Sequence, residues 1–347
     1  MSVASPDEYG HSKPDACSVI SEKAGASALG TAPAAAFWVA LEQNGPWGAR
    51  AAAQSGLAPE VGMALERSCQ ESGGRFILIR RPGAHPDTRV GSAQRVFLAG
   101  GPADRPWMLQ LSLDDPARLL QLPWAALSEG DEVAVQHSVP ELDRTPLPVL
   151  LVCANSRRDI CCALRGRPVA VECSLQRPGR VWECSHSGGH RFAPTGVLLP
   201  YGQTFARLSS GSAVAALDAS ARGEVPLELL GTAYDRGRSH LTPPAQAAES
   251  MVRQQIQEPR LLAMSTTATP QPGRENAWRC RVSHLAGRHW DVVAAREAGG
   301  ADRPESCGKA LVPYGPGSVS GGFFRLVRAT GPGRPHRATP RRLPPRP

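Results

Sequence analysis

No stretch of 18 uninterrupted apolar residues occurs in this 347-residue chain. The best runs, Ala34–Leu41 and Pro148–Ala154, close at Glu42 and Asn155, so no membrane-spanning helix is expected. The N-terminus, Met-Ser-Val-Ala-Ser-Pro-Asp-Glu, has no basic region and no apolar stretch ahead of a small-residue cleavage site. That argues against secretion and for a cytoplasmic protein. There is no Cys-x-x-Cys, the tetrad a thiol–disulfide oxidoreductase needs to lower the pKa of its first thiol. No two carboxylates sit in a recognisable glycosidase setting. The close cysteine pair of a familiar zinc finger, about twelve residues ahead of its first histidine, is missing as well.

What is present points to a folded protein with many loops. The 35 Gly and 33 Pro make up about a fifth of the chain, under the roughly 25–30% that marks low-complexity disorder. The length allows about two domains of roughly 150 residues with real cores. The formal charge of +8 suggests a nucleic-acid partner until it is located. Six arginines and no acid lie between Arg328 and Pro347, leaving about +2 on the rest. With no aromatic interleaved for base stacking, this segment reads as a solvated, disordered tail and not as a nucleic-acid contact. Nine cysteines in a reducing compartment are metal ligands or buried residues before they are disulfide partners.

Along the chain, 1–32 mixes Ser, Ala, Gly and charge without a period and reads as a flexible leader. An N-terminal α/β unit is expected over 33–142: a strand at Phe37–Leu41, a helix after Pro59, and strands at Arg75–Ile79, Arg95–Ala99 and Trp107–Leu111. The first half of the chain holds only Cys17 and Cys69, with no adjacent His, and so is assigned no metal chemistry. A second unit, 143–215, opens with Leu147–Cys153, an apolar run suited to a strand buried on both faces. Asp159 caps a helix there, and strands follow at Arg180–Cys184 and Gly196–Leu199. Over 216–327, Gly223–Leu230 and Pro243–Ile256 read as helices and Trp278–Val282 with Trp290–Ala294 as a strand pair; the tail is 328–347. A faint echo relates Trp182-Glu183-Cys184, His186 and His190 to Trp278-Arg279-Cys280, His284 and His289.

One constellation carries chemistry. Cys153 and Cys162 are separated by eight residues, His186 follows, and His190 comes three residues after it, with Gly188-Gly189 between the histidines. Two thiolates and two imidazoles make a complete tetradentate set. The glycines permit backbone angles that let one tight loop aim both rings at a single centre. Zinc accepts these ligands, and so does an iron–sulfur cluster, whose ligands are spread over two irons.

The segments Val152-Cys153-Ala-Asn-Ser-Arg157-Arg158-Asp159-Ile-Cys161-Cys162-Ala163 and Trp182-Glu183-Cys184-Ser185-His186-Ser-Gly188-Gly189-His190-Arg191-Phe192-Ala193-Pro194-Thr195 resemble the signature of the sucrase/ferredoxin-like family. These are relatives of the thioredoxin-like ferredoxins with an H-x-G-G-H pair in place of the last two cysteine ligands. The resemblance is strong over 148–208. It extends more weakly through Gly45-Pro46-Trp47-Gly48, Tyr234–Ser239 and Ser306-Cys307-Gly308-Lys309, from about 33 to 330. It implies a thioredoxin-like α/β module, preceded by a related or divergent α/β domain, holding a [2Fe–2S] cluster on Cys153, Cys162, His186 and His190. The family pattern favours Cys162 over its neighbour Cys161, a choice the spacing leaves open.

The implied function is electron transfer between a reductase and an acceptor protein, as a carrier more than as an enzyme. Two neutral imidazoles in place of two thiolates leave the centre less negative, so its potential is expected above that of plant-type ferredoxins. Arg157, Arg158 and Arg191 flank the ligands and would either surround the centre or present a positive docking face to an acidic partner. A structural zinc site on the same four residues is the alternative. Cys280, His284, His289 and Cys307 form a second, weaker grouping for which a structural role is expected.

Overall fold

The computed structural model describes residues 15–83, 93–145, 147–297, 303–304, 306–312 and 323–333. The elements run α1 (Cys17–Lys23), β1 (Trp38–Glu42), α2 (Pro59–Glu71), β2 (Arg75–Arg80), β3 (Gln94–Gly100), β4 (Trp107–Leu113), α3 (Trp124–Glu129), α4 (Glu132–Ser138) and β5 (Asp143–Arg144). The chain continues through β6 (Val149–Cys153), α5 (Ile160–Gln176), β7 (Val181–Cys184), β8 (Gly196–Leu199), β9 (Gln203–Phe205), α6 (Ser210–Ser220), β10 (Asp235–Arg238) and α7 (Pro243–Ile256). It closes with β11 (Met264–Pro270), β12 (Ala277–His284), β13 (His289–Glu297), β14 (Arg303–Pro304), β15 (Leu311–Val312) and β16 (Phe323–Gly333).

The expected α/β class holds. Ten strands form one mixed sheet in the order β10-β9-β8-β6-β7-β2-β1-β3-β4-β5, and β11-β12-β13-β16 form a smaller antiparallel one. The large sheet contains the same pattern twice. β1 and β2 are parallel across a helical crossover, and β3 and β4 add antiparallel on the far side of β1. β6, β7, β8 and β9 repeat this with α5 as the crossover. The halves meet where β2 and β7 pair antiparallel, Ile79 with Cys184 and Arg80 with Glu183. The internal repeat thus relates residues near 38–113 to residues near 149–205. The segments at Trp182 and Trp278 are not its copies: the first lies in a parallel pair and the second in the antiparallel sheet.

The alternation of side chains along each strand builds the layers. Val39, Leu41, Leu78 and Leu98 face α2, with Leu65 and Cys69. Leu150, Val152, Val181 and Leu198 face α5 and α6, with Val169, Ala170, Cys173 and Leu217. The opposite faces of both halves share one core, in which Trp38, Ile79, Phe97, Leu151, Trp182 and Val197 join Cys153 and Cys162. Phe97 meets Trp182 edge-on at a centroid separation of 5.5 Å. The small sheet packs Cys280, Val282, Val292 and Ala294 against Ala247, Ala248 and Val252 of α7. Arg238 of β10 rivets the two sheets together: it pairs with Glu249 of α7 at 2.7 and 2.8 Å and donates to the Met264 carbonyl at 2.8 Å.

Three expectations need correction. Residues 15–32 are not a flexible leader: α1 buries Cys17, Ser18 and Ser21, and Arg165 of α5 holds it through Ser18 and Glu22. Residues 1–14 lie outside the described residues. The tail does not begin at 328, because β16 runs to Gly333 and pairs antiparallel with β13; 334–347 lie outside the described residues. The helix expected at Gly223–Leu230 is only a 3-10 turn, Leu227–Leu229. Pro226 lacks an N–H and disfavours helical angles in the residue before it.

Candidate metal centre

Cys153 is the last residue of β6, and α5 crosses behind it. The approach requires Gly166, where a Cβ would sit 2.2 Å from the Cys153 carbonyl oxygen. Asp159 caps α5 as expected, its Oδ1 accepting the Cys161 N–H at 2.9 Å. This sets Cys161 and Cys162 in the first turn, where neighbouring residues point about 100° apart. Cys162 therefore faces Cys153 in the shared core, while Cys161 faces a separate cluster with Cys17.

The loop after β7 is held from two sides. Ser185 exchanges two hydrogen bonds with Leu78 of β2, at 2.8 and 3.1 Å. Gly188 and Gly189 take φ of 90° and 78°, the left-handed region that glycine enters without steric cost. Arg236, 1% exposed, donates to the Gly188 carbonyl at 3.0 Å, to Thr31 Oγ1 at 3.0 Å and to the Thr31 carbonyl. A Cβ on Gly189 would lie 2.4 Å from the Arg236 guanidinium. Burial lowers the pKa of Arg236 to about 9, with Arg191 adding to the effect.

Three of the four expected ligands converge: donor atoms of Cys153, Cys162 and His186 all lie within 4.8 Å of one another. His186 Nδ1 is buried with no hydrogen-bond partner among the described residues, a costly arrangement unless something else engages that atom. His190 lies alongside, its ring centroid 5.4 Å from that of His186. Its Nε2 is 3.7 Å from Asp159 Oδ2. A hydrogen bond from Cys162, then contact with His186 and the Ser187 N–H, hold Cys153 well below the usual thiol range despite burial. Cys162 is pushed up as the donor of that pair and by burial.

Sequence reasoning missed several residues. Cys17, Asp159, Cys161 and Cys307 also converge, with donor atoms within 4.8 Å, although the N-terminal cysteines were assigned no metal chemistry. Nothing around Cys17 signalled this, whereas Cys307 lies in the Ser-Cys-Gly-Lys block. Arg236 likewise sits in the Tyr234–Ser239 block, and Gly48 of the Gly-Pro-Trp-Gly block accepts from Asn155 Nδ2 at 3.0 Å. All three flanking blocks thus fold onto the site region. Arg157 and Arg158 are exposed, while Arg191 lies over the Phe192 ring at 4.6 Å. Cys280, His284 and Cys307 do not meet: Cys280 donates to the Pro244 carbonyl, His284 pairs with Glu258 at 2.7 Å, and Cys307 lies against Cys161.

A sequence model of the sucrase/ferredoxin-like family matches residues 29–225, more than half of the chain. The chain belongs to the sucrase/ferredoxin-like family. The match spans both halves of the repeated sheet pattern and Cys153, Cys162, His186 and His190, and it stops before β10, with Arg236, α7 and the small sheet. No curated protein matches the chain, and no solved structure does. The candidate metal-binding group of Cys153, Cys162 and His186 lies within the sucrase/ferredoxin-like portion, while that of Cys17, Asp159, Cys161 and Cys307 reaches beyond it at both ends; no described helix is long and apolar enough to cross a membrane.

Proposed function

We propose that this family member is a [2Fe–2S] electron-transfer protein, with Cys153, Cys162, His186 and His190 as cluster ligands in a thioredoxin-like module. The observation that carries the reading is the convergence of the Cys153, Cys162 and His186 donors with the His190 ring 5.4 Å from His186. The donor set fits the group: two buried thiols side by side and a buried imidazole nitrogen in need of a partner. When bound, such a cluster supplies a one-electron couple. The chain's own residues do the positioning. Asp159 Oδ2 lies 3.7 Å from His190 Nε2, so in this reading Nδ1 is the ligating atom and the carboxylate faces the other side of the ring. Arg236 clamps the loop that carries both histidines and places a fixed positive charge beside it. Electron donor and acceptor are proteins with acidic faces in this reading, drawn to the exposed Arg157 and Arg158.

The test is iron and sulfide analysis with a visible spectrum on anaerobically purified protein. Red-brown protein with about two irons and two sulfides per chain, lost or altered in Cys153→Ala and His186→Ala, is expected. Colourless protein whose only metal is one zinc on these four residues would sink the proposal and make the site structural.

A further inference from the structure

The second thiol cluster has the form of a metal site of its own. Cys17 comes from α1, Asp159 and Cys161 from the start of α5, and Cys307 from the turn at Ser306–Gly308. Cys161 Sγ lies 3.1 Å from Cys307 Sγ and 3.6 Å from Cys17 Sγ, and Cys307 and Cys17 are 3.6 Å apart. The Asp159 oxygens stand 3.7 and 3.9 Å from Cys17 Sγ. Tetrahedral zinc with Zn–S bonds of about 2.3 Å separates its sulfurs by about 3.8 Å, so the three need move apart by only tenths of an ångström.

The surroundings are those of bound ligands. Asp159 is oriented by the Cys307 N–H at 3.0 Å and the Ser306 hydroxyl at 2.8 Å on Oδ2, and by the Cys161 N–H on Oδ1. A carboxylate accepts at about four positions, so a lone pair remains for a cation. The Cys17 N–H points at Cys307 Sγ at 3.5 Å, a contact that stabilises a thiolate. A disulfide would use two of the sulfurs and leave a third thiol and a buried carboxylate converging on nothing.

We propose that Cys17, Cys161, Cys307 and Asp159 bind one zinc ion, which staples α1 and the turn at Cys307 to the first turn of α5. The site shares no donor with the Cys153 centre, but its Asp159 also faces His190, so the staple holds one wall of that centre in place. Binding releases the remaining thiol protons, and the free energy of coordination becomes stability.

Full-length protein purified under reducing, chelator-free conditions should carry about one zinc per chain with three sulfurs near 2.3 Å and one oxygen in its zinc-edge absorption. Cys17→Ser and Cys307→Ala should each weaken zinc retention by at least about tenfold; Cys69→Ser should not, and Cys153→Ala should leave this zinc in place. Wild-type protein without zinc overturns the proposal. So does zinc held by two sulfurs and two nitrogens and lost with Cys153→Ala, or a Cys161–Cys307 disulfide in protein kept free of oxidant. If the variants fail to fold, the ligand count on the unaltered protein decides alone.

Discussion

At the residue scale, single buried polar groups decide how the site is held. Arg236 does its work through three hydrogen bonds to backbone and hydroxyl oxygens, with no carboxylate paired to it among the described residues. Nearby, His240 is half-buried beside Arg238, and burial first, then that positive charge, lower its pKa to about 4; Glu249 opposes the shift only in part. The neutral ring is therefore the folded form. Between pH 6.5 and 4 the unfolded chain binds a proton here that the folded chain does not. The contribution is complete above pH 6.5 and is lost as pH falls toward 4. Acidification across that window should destabilise the wild type by about 1–3 kcal/mol more than His240→Gln, as read from denaturant melts of both at pH 7 and 4.5.

At the element scale, α5 is the organiser. Its N-cap carboxylate, its first-turn cysteine pair and its glycine at 166 serve three different contacts within two turns. Gly166→Ala would drive a methyl into the Cys153 carbonyl, backbone against backbone, and α5 must shift away from β6. We expect a loss of about 1–3 kcal/mol together with weakened metal retention at the Cys153 centre, measured by urea melts and metal analysis. An unchanged melt would mean that α5 yields without cost. The loop element behaves differently, because its shape comes from Gly188 and Gly189 and from an arginine supplied by β10.

At the scale of the whole molecule, the two halves are joined by little backbone pairing: two residue pairs between β2 and β7. The joint is reinforced by the Arg80–Glu183 ion pair, at 2.6 and 2.8 Å with side chains 7% and 4% exposed. Removing one partner leaves the other charged and buried. Glu183→Gln is expected to cost about 3–5 kcal/mol, and replacing both with methionine much less, a contrast that a double-mutant cycle on thermal or urea stability would reveal. Equal losses in the single and double variants would mean that packing, not charge, holds the joint.

Much of this was written locally. The strands at 37–41, 75–79, 95–99, 107–111 and 149–153, the cap at Asp159 and the helix at 243–256 follow from alternation, capping chemistry and proline placement, which act over a few residues. The spacing of the four proposed ligands, from Cys153 to His190, was equally legible, because all four residues fall within one βαβ unit and its loop. What folding alone decided lies at long range. That Cys17 and Cys307, 290 positions apart, meet at Cys161 depends on where α1 and the turn dock. That Arg236 holds the histidine loop depends on β10 closing the sheet edge beyond β9. No local pattern encodes such meetings, since they arise from burial and from the pairing of sheet edges, which the chain satisfies only once it is folded.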